Sequence, residues 1–155
     1  MQKYKVYINK ECKIITENWN KFCSDFQIIH AAGGLVYNPK DQLLCIFRNN
    51  VWDLPKGKID NKENKESATL REINEETGVD KLEIISTLKT TYHVYKYEEK
   101  NILKFTHWFK IHTTFNGDLT PQKDEGITQV KWINKKDIGC YFSNSYGNIK
   151  DLLKL

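Results

Sequence analysis

The stretch "GKIDNKENKESATLREINEETGV", Gly57 to Val79, holds the best-marked helix of this chain and its densest run of like charge. Asn64 is a credible N-cap, because its side chain can accept from an unpaired N–H of the first turn. Gly78 stands where a left-handed residue closes a helix. The pattern between them predicts a helix over 65–77. Projected at about 100° per residue, Leu70, Ile73 and Thr77 gather on one side. Ala68, Glu72, Glu75 and Glu76 gather on the other, with Arg71 at its edge. Like charges one turn apart cost roughly 0.2–0.5 kcal/mol per pair. Either this is an idle solvated face, or a cation sits there. Glu72 is i,i+3 from Glu75 and i,i+4 from Glu76, so their carboxylates can converge, with small Ala68 leaving room beside them. Converging carboxylate oxygens suit a hard divalent cation such as Mg²⁺ or Mn²⁺.

Working outward, residues 48–64 (RNNVWDLPKGKIDNKEN) are rich in Gly, Pro, Asn and Lys and read as a long loop. Loops of that length in compact domains are usually functional or disordered. This one brings Lys56, Gly57, Lys58 and Lys62 up to the helix. A cationic loop beside an acidic helix suits a diphosphate: bound metal attracts the phosphates, and lysines take outer oxygens as point charges. A glutamate free of ligation can accept a proton from attacking water.

Strands are expected at 3–8 and 12–16, a short helix at 17–26, and strands at 27–38 and 41–47 that form a hairpin. Two alternating runs, 82–97 and 101–113, read as a further hairpin, followed by a strand over 126–133. The tail 143–155 reads as a short amphipathic helix. Hairpins around one strong mid-chain helix imply an α+β fold with a mixed sheet and helices packed on it. The 155 residues amount to a single domain, 1–155, with 1–26 as N-terminal strands packed on it.

The composition is 39% apolar and 28% charged, as expected of a soluble globular protein, and no apolar run nears the roughly 18–20 residues that span a bilayer. A cytoplasmic location is expected. Cys12, Cys23, Cys45 and Cys140 lack metal-ligand spacing and are expected as free, mostly buried thiols. The net charge of +4 is compatible with an anionic ligand.

At Gly57–Val79 the chain resembles the Nudix hydrolases, whose signature is G-x5-E-x7-R-E-U-x-E-E-x-G-U with U a bulky aliphatic residue. Gly57, Glu63, Arg71-Glu72, Ile73, Glu75-Glu76, Gly78 and Val79 fill every fixed position. The resemblance implies an α/β/α sandwich and a metal-dependent pyrophosphohydrolase acting on a nucleoside diphosphate linked to another group. It implies that Glu72, Glu76 and the backbone carbonyl of Lys56 are metal ligands, with Mg²⁺ or Mn²⁺ as cofactor. It implies that Glu75 or Glu72 is the general base, Glu75 otherwise being a further metal contact, and that Glu63 and Arg71 are a structural ion pair. An extra acid outside the motif often contributes in this family; Glu125 is the first choice here and Asp124 the second.

The run "WDLPKGKID" resembles the loop of members acting on dinucleoside polyphosphates and diphosphoinositol polyphosphates. Arg48, Lys56 and Lys58 are candidate phosphate-binding residues. Tyr95 and Lys104, on the aromatic hairpin, are candidates to stack a base and hold a phosphate. Trp52 is expected to pack the base of the loop. The alternatives are an RNA 5′-pyrophosphohydrolase, an ADP-ribose or sugar-nucleotide pyrophosphatase, and a non-catalytic ligand sensor on the same fold. Partners are expected to be a small molecule, with no membrane and nucleic acid only as an RNA-end substrate, in a monomer or homodimer.

Overall fold

A computed structural model describes residues 2–8 and 10–155. One mixed sheet runs through the molecule in the order β10-β4-β3-β9-β8-β1-β2. Its members are β1 (Tyr4–Ile8), β2 (Glu11–Ile15), β3 (Gln27–Tyr37), β4 (Leu43–Arg48), β8 (Thr91–Tyr97), β9 (Lys100–Thr113) and β10 (Gln129–Ile133). Off this path, β5 (Val51–Asp53) pairs with β4, β6 (Lys56–Lys58) with β3, and β7 (Leu82–Thr87) with β9. The pairs β3–β9 and β1–β8 are parallel and the rest antiparallel.

Alternation along the strands sends side chains to two faces. On one face α2 (Lys65–Thr77) lays Ile73 against Val36, Phe109 and Ile111. The same face carries α1 (Trp19–Cys23), whose Trp19 and Phe22 cover Leu103, Tyr92 and Phe105 together with Val6. On the other face α3 (Ile138–Tyr141) and α4 (Gly147–Leu152) bury Ile138, Ile149 and Leu152, with neighbouring Phe142, on Leu35, Trp52 and Trp108. The expected α/β/α sandwich is therefore present, and among the described residues no helix is long and apolar enough to cross a membrane.

Several expectations change in detail. The 48–64 stretch is not loop throughout, since β5 and β6 pair with β4 and β3 and so satisfy its backbone groups. That insertion also limits the expected 27–38/41–47 hairpin to one registered pair, Tyr37↔Leu43. The 82–97 run divides into β7 and β8, which both lie on β9 at different heights. The α1 helix is shorter than expected, at five residues. All four cysteines are free as expected, but Cys12 and Cys140 are exposed rather than buried.

Candidate active site

Local sequence sets helix α2 first. Asn64 Oδ1 accepts from the Ser67 N–H at 2.7 Å, and Gly78 closes the helix at φ +80°, donating its N–H to the Asn74 carbonyl at 2.8 Å. A side chain at that φ would be strained. The helix meets the sheet at Gly57, where there is no room for a Cβ: it would lie 2.0 Å from Glu72 Cδ. Glycine here lets the Glu72 carboxyl rest directly on the β6 backbone.

Arg71 organises the surrounding charge. Its Nε and Nη2 donate to both oxygens of Glu63 at 2.8 and 2.9 Å, a bidentate pair. Nη2 also donates to the Lys58 carbonyl at 3.1 Å, and Nη1 to Glu72 at 2.9 Å and Glu75 at 3.1 Å. The expected Glu63–Arg71 pair is thus present and ties the 58–64 segment to α2. Hydrogen bonds from Arg71, with help from the Asp60 N–H, hold the Glu63 carboxyl down at about 2.

The three box glutamates occupy different environments. Glu76 is buried, at 3% exposure, and Oε1 accepts the Lys56 backbone N–H at 2.9 Å. Arg48 Nη1 stands 3.9 Å from its Oε2. Desolvation nevertheless dominates and pushes Glu76 up to about 7. Glu72 is half-buried and also raised by burial, against the pull of Arg71. Glu75 is exposed. Ala68 is buried in the core, contrary to the expectation that it borders an open acidic surface. The acidic side of α2 is packed against the sheet, so only Glu75 faces water freely. The expected convergence of carboxylates is also absent: among the described residues no three His, Cys, Asp or Glu side chains form a group that could hold a metal ion. Arg71 Nη1 bridges Glu72 and Glu75, and Glu76 is turned to the Lys56 N–H.

The donor chemistry nonetheless fits a hard divalent cation. Glu72 and Glu76 present only oxygen, both are desolvated, the charge of Glu72 adds to the negative surroundings of Glu76, and the space at Gly57 admits a carboxylate.

A cavity of about 490 Å³ opens on the opposite face of the sheet, a volume suited to a small ligand. Arg48, Lys56, Tyr95 and Lys104 all line it, so four of the five candidate substrate-binding residues are brought together. The fifth, Lys58, lines instead a separate groove of about 890 Å³ between the 58–66 segment and the His30–His107 pair. Lys56 is the hinge between helix and cavity. Its backbone meets Glu76, while its ammonium pairs with buried Asp53 at 2.8 Å. Asp53 in turn accepts the Leu54 N–H at 2.7 Å. Trp52 is buried among Phe47 and Tyr141, as expected.

Glu125 is exposed, at the end of a 3₁₀ turn, Lys123–Glu125. The turn is pinned beside the site by the Gln122 N–H, which donates to the Glu76 carbonyl, and by Gly126 against Arg48. Sequence reasoning named His93 on the hairpin without singling it out, and missed Asp53 and the contribution of α4, whose Asn148 and Ile149 close the cavity. Of these, only Asp53 carried a local signal, an acid three residues before Lys56.

The family model of the NUDIX domain matches residues 29–151. Over 46 residues, 28% of this chain, the sequence is 48% identical to a putative 8-oxo-dGTP diphosphatase of Bacillus subtilis (strain 168), covering 31% of that protein. Over 96 residues, 62% of this chain, it is 31% identical to the RNA pyrophosphohydrolase of Wolbachia sp. subsp. Brugia malayi (strain TRS), covering 53% of that protein. The chain spans about a third and about half the length of these two curated relatives. Among solved structures, a C. elegans Ap4A hydrolase in a binary complex matches with TM-score 0.65 at 22% identity, over 81% of this chain and 93% of that one. The MutT protein from Methanosarcina mazei Go1 matches with TM-score 0.63 at 19% identity, over 84% and 93%. At such identities the structural likeness establishes the fold.

Proposed function

This chain belongs to the NUDIX domain family, and from that premise we propose that it hydrolyses a diphosphate linkage in a nucleoside diphosphate derivative, a dinucleoside polyphosphate first among candidates. The observation that carries this reading is the link through Lys56: one residue joins a desolvated carboxylate pair on α2 to a cationic cavity of ligand size.

In this reading Glu72, Glu76 and the Lys56 carbonyl would hold Mg²⁺ or Mn²⁺, with Glu75 as a further contact or as the base. The ion, when bound, would polarise the phosphate and neutralise charge developing on it. Glu75 is the box glutamate open to water, which suits it to accept the proton of attacking water; Glu72 is the second choice. Arg71 orients both by donating one N–H group, Nη1, to each of them. Arg48 and Lys56 take the outer phosphate oxygens, and Tyr95 and Lys104 the far part of the substrate. Glu125 would add a carboxylate from the 122–126 turn. The single domain 1–155 carries all of these groups.

A second reading, removal of a terminal diphosphate from RNA, draws support from the name of the Wolbachia relative. One experiment separates the two. Purified protein is offered diadenosine polyphosphates, ADP-ribose, sugar nucleotides, dNTPs, diphosphoinositol phosphates and triphosphorylated RNA, with Mg²⁺, Mn²⁺ or chelator, and products are weighed by mass spectrometry. Hydrolysis of small diphosphates that stops with chelator supports the first reading. Turnover that persists under chelation overturns it, and activity confined to RNA ends selects the second.

A further inference from the structure

The charges of the cavity do not balance. Arg48, Lys56 and Lys104 line it against Asp53, with Glu76 at its border. Asp53 is taken by Lys56 at 2.8 Å, and Glu76 by Arg48 and the Lys56 N–H. Lys104 is left over. Among the described residues no carboxylate lies within ion-pairing distance of it, and its Nζ sits over the Tyr95 ring, 5.3 Å from the centroid. Loss of water and the charges of Lys56 and Arg48 depress this ammonium to about 8. A desolvated cation without a partner is a cost to the fold.

Beside it stands a second unsatisfied group. His93 is the registered partner of Lys104 across the β8–β9 ladder, so both side chains lie on the cavity face. Its Nδ1 is buried without a hydrogen-bond partner. The ring stacks on Tyr95 at 5.4 Å and 24°, which fixes its orientation. A surplus cation and an unpaired ring nitrogen that can donate, side by side and without an acceptor, are what an anion requires. Arg48 and Lys56 border both Glu76 and this cavity, so the cavity is continuous with the α2 carboxylates.

We propose that Lys104 and His93 form an anion subsite holding a third phosphate of a nucleoside polyphosphate, one outside the diphosphate that is cleaved. The assignment takes the cleaved diphosphate from the hydrolase reading above, and the anion from the surroundings of Lys104 itself.

Two measurements test it. In calorimetry on the protein without divalent ions, wild type should bind inorganic tripolyphosphate at least about tenfold tighter than pyrophosphate. Lys104→Met should abolish that difference and Lys104→Arg should restore it. Unliganded Lys104→Met should melt no lower than wild type, since it removes an unpaired charge. In kinetics, Lys104→Met should raise KM for ATP or diadenosine tetraphosphate about tenfold more than for ADP-ribose, with kcat little changed. An effect on ATP alone identifies a terminal phosphate, and on the tetraphosphate alone a bridging one. Equal tripolyphosphate binding by wild type and Lys104→Met, or a marked loss of stability in the variant, overturns the subsite. If no compound turns over while the tripolyphosphate preference still depends on Lys104, the hydrolase reading falls and the subsite stands.

Discussion

At the residue scale, function is written as a conflict with stability. Glu76 is a carboxylate in a dry place, raised to about 7 against an ordinary value of 4.5. Its folded value lies above its unfolded one, so the carboxyl stabilises the fold fully only below about 4.5, and that contribution is lost as pH rises through 7. Glu76→Gln keeps an acceptor for the Lys56 N–H and removes the charge. Without divalent ions at pH 8, it should melt a few degrees above wild type in a calorimetric scan, while turnover falls at least about a hundredfold. His93 runs the other way in charge: burial lowers it to about 4 from 6.5. Below 6.5 the unfolded chain takes up a proton that the folded chain refuses. Stability should therefore fall as pH drops from 6.5 to 4, by up to about 3 kcal/mol, and then level off. Urea unfolding of wild type and His93→Gln across that window should show the variant with the flatter profile. The identities of Glu72, Glu75 and Glu76 were legible from spacing, but their unequal exposure was not, because it depends on the strand that α2 rests upon.

At the element scale, the 58–64 segment and α2 behave as one unit because Arg71 spans them. Removing the bidentate acceptor leaves a half-buried guanidinium with fewer partners and frees the segment from the helix. Glu63→Gln should accelerate hydrogen exchange of amides in 58–64 with little change in the β3–β9 core, and should lower kcat more than it changes the fold. Equal exchange rates in variant and wild type would refute this coupling. Helix α2 was readable end to end, since its cap, its closing glycine and its apolar stripe are local features. The short strands β5 and β6 were hidden within a Gly/Pro/Asn-rich stretch. Their pairing is with β4 and β3, and no local periodicity announces a three-residue strand.

At the scale of the molecule, β1, β2 and α1 lie outside the matched family segment yet extend the sheet and cover part of it. Strand β1 pairs in parallel with β8 at Val6↔Tyr92, Tyr7↔His93 and Ile8↔Val94, so it braces the strand that carries the cavity wall. With α1 it covers Tyr92, Val94, Leu103 and Phe105. Deleting residues 1–26 should expose that patch, lower the melting temperature by roughly 10 °C or more, and promote association visible in light scattering. A truncated chain as stable and monodisperse as the full one would show the segment to be dispensable. The sequence by itself determined helix α2, the Glu63–Arg71 tie and the family, because those rest on one continuous stretch, Gly57 to Val79. Only the tertiary structure decided which lysines share a cavity, that Lys104 goes unpaired beside His93, and that Glu76 is dry. Those facts arise from strands β3, β4, β8 and β9 meeting across long sequence separations, where burial and charge are properties of the neighbours rather than of the residue.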